Sequence, residues 1–434
     1  MNKHLKSQKK NKTTIILLVV LFSLLAILSP LQTFCADDNT FTINKELNQT
    51  VIDELKEIDF SGLNSVIEDF NKKNTNIFSI ENIKSKVYSI ISGESAVKYT
   101  NFFASLFSEL IESIVKYLPI ISLIIAIGVI SNLLNGIKSK FNEKSTSDLI
   151  GMVCFMAVAI LIIGIVSNLS KSTGNAINSM VKQMNIIFPI LLTLMAGLGA
   201  HASVGAFNPV VAIISTYVAD FFNYFILPLF MLNFVFGIIS NMSSNVKLDK
   251  FVSFISSLFK WTVGLIFTLF FSIFSLQGIA VSKFDSLSIR TTKYTIKSYI
   301  PIMGGYLSDG MDLILSSTML IKNAVGLVGV LLIVSTIISP LIEIIIFSLM
   351  LKLVSAVLQP MGGSKTSNFL SATSKSITML STALIAISFM YFISVGLVMT
   401  TSNVVVWYEW IYFKYFRYYC GWCVHWCYYS KRKH

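Results

Sequence analysis

A chain of 434 residues that is 54% hydrophobic and only 13% charged, with mean hydropathy +0.71, is too apolar for a water-soluble globule. Its net charge of +12 does not make it a nucleic-acid binder. The excess sits at the ends, with five lysines and no acid in residues 1–36 and five bases against Glu409 in 407–434, which leaves about +3 between them. The apolar residues come in long runs, so the expected class is all-α, a polytopic helical membrane protein.

Residues 1–36 read as a signal peptide. "MNKHLKSQKKNK" is a cationic start, "TTIILLVVLFSLLAIL" an apolar stretch, and "LQTFCA" after Pro30 a small-residue exit that permits cleavage after Cys35 or Ala36. Phe34 stands where a lipoprotein signal needs a small residue before the cysteine, and an uncleaved anchor is the alternative. Residues 37–113 are different, with 13 of the 22 acids against seven bases. Leu47, Val51, Leu55 and Ile58 recur at helical spacing. This is expected to be a small, acidic, helical, exported domain, with Ser61 and Ser79 as N-caps and Gly62 and Gly93 as punctuation. Without Cys, His or clustered carboxylates, it fits a partner-binding or spacer role better than catalysis.

A transmembrane domain is expected over 114–402. About 20 apolar residues cross the hydrocarbon, which places crossings near 114–134, 149–168, 186–206, 208–226, 227–242, 261–282, 311–339, 340–360 and 377–399. Pro228 marks either a turn between two crossings or a kink in one. Lys138, Lys140 and Lys144 put the first internal loop in the cytoplasm. Asp220, Lys322, Glu343 and Lys352 fall in or near apolar runs and must face a neighbouring helix, water or the interface. Lys352 reads as snorkelling from a helix end. Lys322 is followed by Asn323, Gly326 and Gly329, which favours a polar seam inside the bundle.

No phosphate-binding loop, HExxH, GxSxG or GxGD motif occurs, so nucleotide hydrolysis, zinc proteolysis, serine-elbow hydrolysis and intramembrane aspartyl proteolysis lack their chemistry. No cofactor is implied. "LSDG" around Asp309 reads as a helix start, with Ser308 or Asp309 as N-cap after Pro301, Gly304 and Gly305 have ended the preceding helix.

The stretch "RTTKYTIKSYIPIMGGYLSDG", Arg290 to Gly310, is basic, hydroxyl-rich and broken by glycine between two apolar runs. On a helix over 283–300, Lys283, Arg290, Lys293 and Lys297 project within about 80° of one another. Such a stripe rests on anionic lipid phosphates, or it belongs to a re-entrant element whose irregular backbone lines a cavity. With Gly304, Gly305, Asp309 and Asp312 it is the candidate functional surface. Asp220, Lys322 and Glu343 are the candidate intramembrane polar groups.

The block "RTTKYTIKSYIPIMGGYLSDGMDLILSSTMLIKNAVGLVG", with "FPILLTLMAGLGAHASVGAFNPV", "LPLF", "SLQG" and "VLQPMGG", resembles the stage III sporulation protein AE family of endospore-forming bacteria. The likeness runs from the signal peptide to about Val406. It implies a mother-cell protein inserted in the outer forespore membrane. There it would work with an ATPase and secretin-like ring proteins of the same operon, and with a forespore membrane partner, as a channel or feeding apparatus. It implies no catalytic residues. A stand-alone permease for a small solute is the alternative, although no internal repeat with matched broken helices is evident.

The sequence departs from the family after "SNVVV". Residues 403–434 form an atypical tail holding four of the five tryptophans and three of the five cysteines. Cys420, Cys423, His425 and Cys427 crowd into eight positions without the second pair of a structural zinc site. A frameshifted or atypical end is the first reading, an aromatic interfacial tail the second, and metal binding the third. Cys154 reads as a small apolar residue within a crossing.

Overall fold

The computed structural model describes residues 45–65, 83–92, 99–138, 144–242, 248–300, 303–360 and 364–401. The signal peptide with Cys35, Ser79, Gly93, Pro301 and the tail with Cys420, Cys423, His425 and Cys427 lie outside the described residues. Every regular element among those described is helical. Two short helices, α1 (Lys45–Glu57) and α2 (Ile83–Ile91), precede six long ones. These are α3 (Tyr99–Lys138), α4 (Lys144–Gly197), α5 (His201–Met242), α6 (Asp249–Tyr299), α7 (Gly304–Leu358) and α8 (Ser364–Thr401). All six are long and apolar enough to cross a membrane, and the chain is a multi-pass membrane protein.

Among the described residues the nine expected crossings thus become six candidate helices. A helix without a reversal crosses once, and α4, α5 and α7 each run unbroken where two crossings were expected. The stretch 169–185, left between two expected crossings, is the middle of α4. Pro340 lies inside α7. In α5, Pro228 follows two π-helical stretches, Ile214–Val218 and Phe222–Ile226. The second of these holds Tyr224, whose carbonyl the proline ring would meet in a regular α-turn, and its wider turn makes room there, so the helix continues through the proline. The expected crossing at 186–206 instead straddles a reversal. Gly199 has φ +77°, its N–H donates to the Ala196 carbonyl at 2.9 Å, and the Ala200 N–H donates to the Met195 carbonyl at 3.0 Å. Such a left-handed close suits glycine, which carries no Cβ.

Helix α7 is the hub, in contact with α1, α2, α3, α4, α6 and α8. Helix α4 runs antiparallel to it: Gln183 Nε2 donates to Thr336 Oγ1 at 2.7 Å, Ile187 lies against Gly329, and Thr318 against Gly197. Helix α8 folds back along α7 through two reciprocal serine pairs. Ser348 and Ser374 each donate to the other's carbonyl, at 3.1 and 2.8 Å, and Ser355 and Ser367 do the same at 2.8 Å. Small hydroxyl residues let two helices approach closely and satisfy each other where apolar neighbours drive no association.

Helix α3 runs parallel to α7. Glu109 accepts from Ser339 Oγ at 2.6 Å, Lys116 pairs with Glu343, and Gly128 faces Leu358. The boundary expected at 113 therefore falls inside one helix. The N-terminal helices pack onto this bundle, with Val51, Leu55, Ile83 and Val87 joining its apolar core. Ser61 is not an N-cap. Its N–H donates to Asp59 Oδ1 at 2.9 Å, which holds the Asp59 carboxyl below its ordinary range, and Gly62 lies within the short helical turn at 61–65, against Ile186.

Candidate functional site

The expected helix over 283–300 is the last third of α6, and it ends at Tyr299 with Ile300 extended. Helix α7 begins four residues after that, at Gly304, with no side-chain cap. Ser308 and Asp309 are therefore not its N-cap, and the glycine pair opens the second helix and does not close the first. The reason is the tightness of the reversal. A Cβ on Gly304 would stand 2.7 Å from the Ile296 carbonyl oxygen and 3.2 Å from the Lys297 Cα, whereas Gly305 has nothing within 4 Å. Backbone meets backbone at the first glycine, which lets α7 start in the first turn where a capped start was expected further on. Ser308 is fully buried, and its hydroxyl has no hydrogen-bond partner among the described residues; Asp309 is exposed.

The basic stripe divides. Lys293 turns inward and pairs with Asp312 across the reversal, locking the end of α6 to the third turn of α7. Arg290 and Lys297 are exposed, among exposed Tyr294, Tyr299, Met303 and Tyr306. Lys283 lies in α6, with its side chain outside what is described. The result is a bundle end with cations and tyrosines outward and a partly exposed ion pair bridging the reversal, the chemistry that suits phosphate groups and an interfacial or partner surface.

Asp285 was not anticipated from the sequence. It is buried, and its two carboxylate oxygens accept from the Ala202 and Ser203 N–H groups at 3.0 Å each. A carboxylate there satisfies two orphan donors of α5 and complements the helix dipole. Ile289, one turn on, packs against Gly199. Asp285, Ile289 and Lys293 thus form the inward face of α6, which joins the α4–α5 reversal to the α6–α7 reversal. The spacing of these residues was readable, but capping by a residue more than 80 positions away leaves no local signal.

The intramembrane candidates separate as well. Glu343 pairs with Lys116 of α3, Asp220 is exposed on α5, and Lys352 is exposed on α7. Lys322 is fully buried in α7. The glycines that follow admit close neighbours: a Cβ on Gly326 would fall 2.3 Å from Met399 Sδ, and one on Gly329 3.1 Å from Ile187 Cδ1. Buried Ser317, Thr318, Ser335 and Thr336 lie on the same helix as Lys322. The N-terminal region meets α7 one turn before Lys322. Glu54 of α1 accepts from Ser317 Oγ at 2.6 Å and from Thr318 Oγ1 at 3.1 Å.

Comparison with known proteins agrees with this architecture of long apolar helices. Residues 81–402 match the family model described as stage III sporulation protein AE. The protein of that name from Bacillus subtilis (strain 168) is 24% identical over 326 residues, covering 75% of this chain and 82% of the relative. No solved structure matches. The match begins within the acidic N-terminal region and stops before the tryptophan-rich tail, and the chain belongs to the stage III sporulation protein AE family.

Proposed function

We propose that this protein is a non-enzymatic membrane component of a channel or feeding complex that joins mother cell and forespore, seated in the outer forespore membrane. Its partners would be the ATPase and ring-forming products of the same operon and a forespore membrane protein. The residues between the signal and α3 form the extracytoplasmic domain in this reading, after removal of the signal. The observation that carries it is the α6–α7 end, where Arg290 and Lys297 stand exposed among tyrosines on a reversal held by Gly304 and the Lys293–Asp312 pair. Helix α7 is 55 residues long, about 82 Å at 1.5 Å per residue. Against a hydrocarbon layer of about 30 Å, that length supports a structure reaching from one membrane toward another.

Arg290→Lys keeps the charge and removes the planar two-pronged donor, whereas Lys293→Arg keeps a cation in the ion pair. At matched protein abundance, Arg290→Lys is expected to lower spore yield about tenfold and to weaken co-purification with the operon's products, with Lys293→Arg near wild type. Spore yield that is normal in Arg290→Lys, and also when Arg290 and Lys297 are both changed to Gln, would remove this surface from the complex. Loss of solute uptake with normal sporulation would point instead to a permease.

A further inference from the structure

Helix α4 changes its outward face halfway along. Over 152–163 the exposed large side chains are Met152, Val153, Met156, Ile160 and Ile163. Further on they are Asn168, Lys171, Asn175, Asn178, Lys182 and Asn185. Their alternating spacing of three and four puts them on one continuous stripe. From Asn168 to Asn185 the stripe is about 26 Å long at 1.5 Å per residue, close to the thickness of the hydrocarbon layer.

Contacts fix the height of this stripe in the bundle. Asn223 Nδ2 of α5 donates to Asn178 Oδ1 at 2.8 Å, and Leu227 and Asn223 lie against Gly174. At that level α5 exposes Tyr217, Phe221, Tyr224 and Phe225, with Asp220 among them. Ser388 Oγ donates to Met180 Sδ at 3.5 Å, and the neighbouring Phe389 stacks on Phe267 of α6. At that level α6 exposes Leu265, Leu269 and Phe271. One slice of the molecule therefore carries apolar surface on α5 and α6 and amides with two ammonium groups on α4. Lipid surrounds a membrane protein on every side, and it does not solvate amides or ammonium groups.

We propose that the α4 stripe borders a water-filled groove at bilayer depth that admits hydrophilic solutes. Lys171 and Lys182 on the stripe outnumber Asp220, which lies at the same level on α5, so the groove favours anionic over cationic solutes. This deepens, and rests on, the reading of the chain as part of a conduit. The mouth of the groove is next to Ile186, where Gly62 of the N-terminal region rests, so that region stands at the entrance.

The test uses the full chain with its five cysteines replaced by serine and with single cysteines placed by Asn175→Cys, Asn178→Cys, Phe221→Cys or Leu269→Cys. The probes are two membrane-impermeant methanethiosulfonates, one bearing a sulfonate and one a trimethylammonium group, applied to native membranes. Cysteines at 175 and 178 are expected to react at least about tenfold faster than those at 221 and 269, which lie at the same height on apolar faces. Normalised to a free thiol, the sulfonate-to-ammonium rate ratio at 178 should fall about threefold in the Lys171→Gln, Lys182→Gln background and rise in Asp220→Asn. Equal reaction at all four sites would place the slice in bulk water, and reaction at none would bury the stripe; either overturns the groove. A ratio indifferent to these charges overturns the selectivity. Blocked cysteines at 175 and 178 with normal spore yield would leave the groove standing and sink the conduit reading, so the two failures are distinguishable.

Discussion

Gly304 and Gly305 are neighbours in sequence and opposite in circumstance. A methyl group at 304 collides with the backbone of α6, and one at 305 meets open space in the first turn of α7. Gly304→Ala is therefore expected to destabilise the reversal by about 1–3 kcal/mol, the usual cost of overpacking where nothing flexible can yield. Gly305→Ala should be neutral or stabilising by up to about 1 kcal/mol, because alanine loses less backbone freedom in a helix. Thermal unfolding in detergent compares the two. Equal loss in both variants would mean that the pair acts through flexibility and not through close approach.

At the scale of elements, the bundle is joined by polar contacts that its apolar surfaces cannot provide. The serine pairs between α7 and α8 act inside the core, and the Glu54 contact acts at its edge. Glu54 is half-buried and receives two hydroxyl donors from α7, an arrangement worth about 1–3 kcal/mol when the acceptor is charged. Glu54→Ala should accelerate amide exchange in α1 about tenfold or more while leaving exchange in α7 unchanged. Unaltered protection of α1 would show that burial of Val51 and Leu55 alone holds the N-terminal region in place.

At the scale of the whole molecule, the family match ends at residue 402, where α8 has just completed its run along α7. The aromatic tail is therefore expected to add nothing to the part of the chain that the family model covers. Deleting residues 407–434 should leave membrane insertion and spore yield as in the full chain, measured by fractionation and heat-resistant colony counts. A sporulation block at normal protein level would give the tail a function.

The sequence by itself determined that this is a helical membrane protein, and the Arg290–Gly329 block pointed to its family. Both follow from local information: apolar runs of bilayer length, and a motif contiguous in the chain. It also showed that Gly326 and Gly329 mark a helix contact, since small residues are how helices meet in lipid. What tertiary structure decided was where helices end and which way their faces point. The 169–185 stretch is polar enough to read as a loop, yet its inward half is Thr173, Ala176, Ile177, Met180 and Gln183. Burial of that half against neighbouring helices keeps the backbone helical and leaves the amides outside as a stripe. Pro228 and Pro340 look like boundaries until neighbouring helices and π turns absorb them. Lys293 and Lys297 are interchangeable in sequence, and only the fold of α7 back onto α6 brings Asp312 to one of them. Asp285 finds its partners more than 80 residues away, and no window along the chain contains both ends of such a contact. Periodicity constrains each helix separately; the pairing of helices is set by long-range burial, which the chain encodes only jointly.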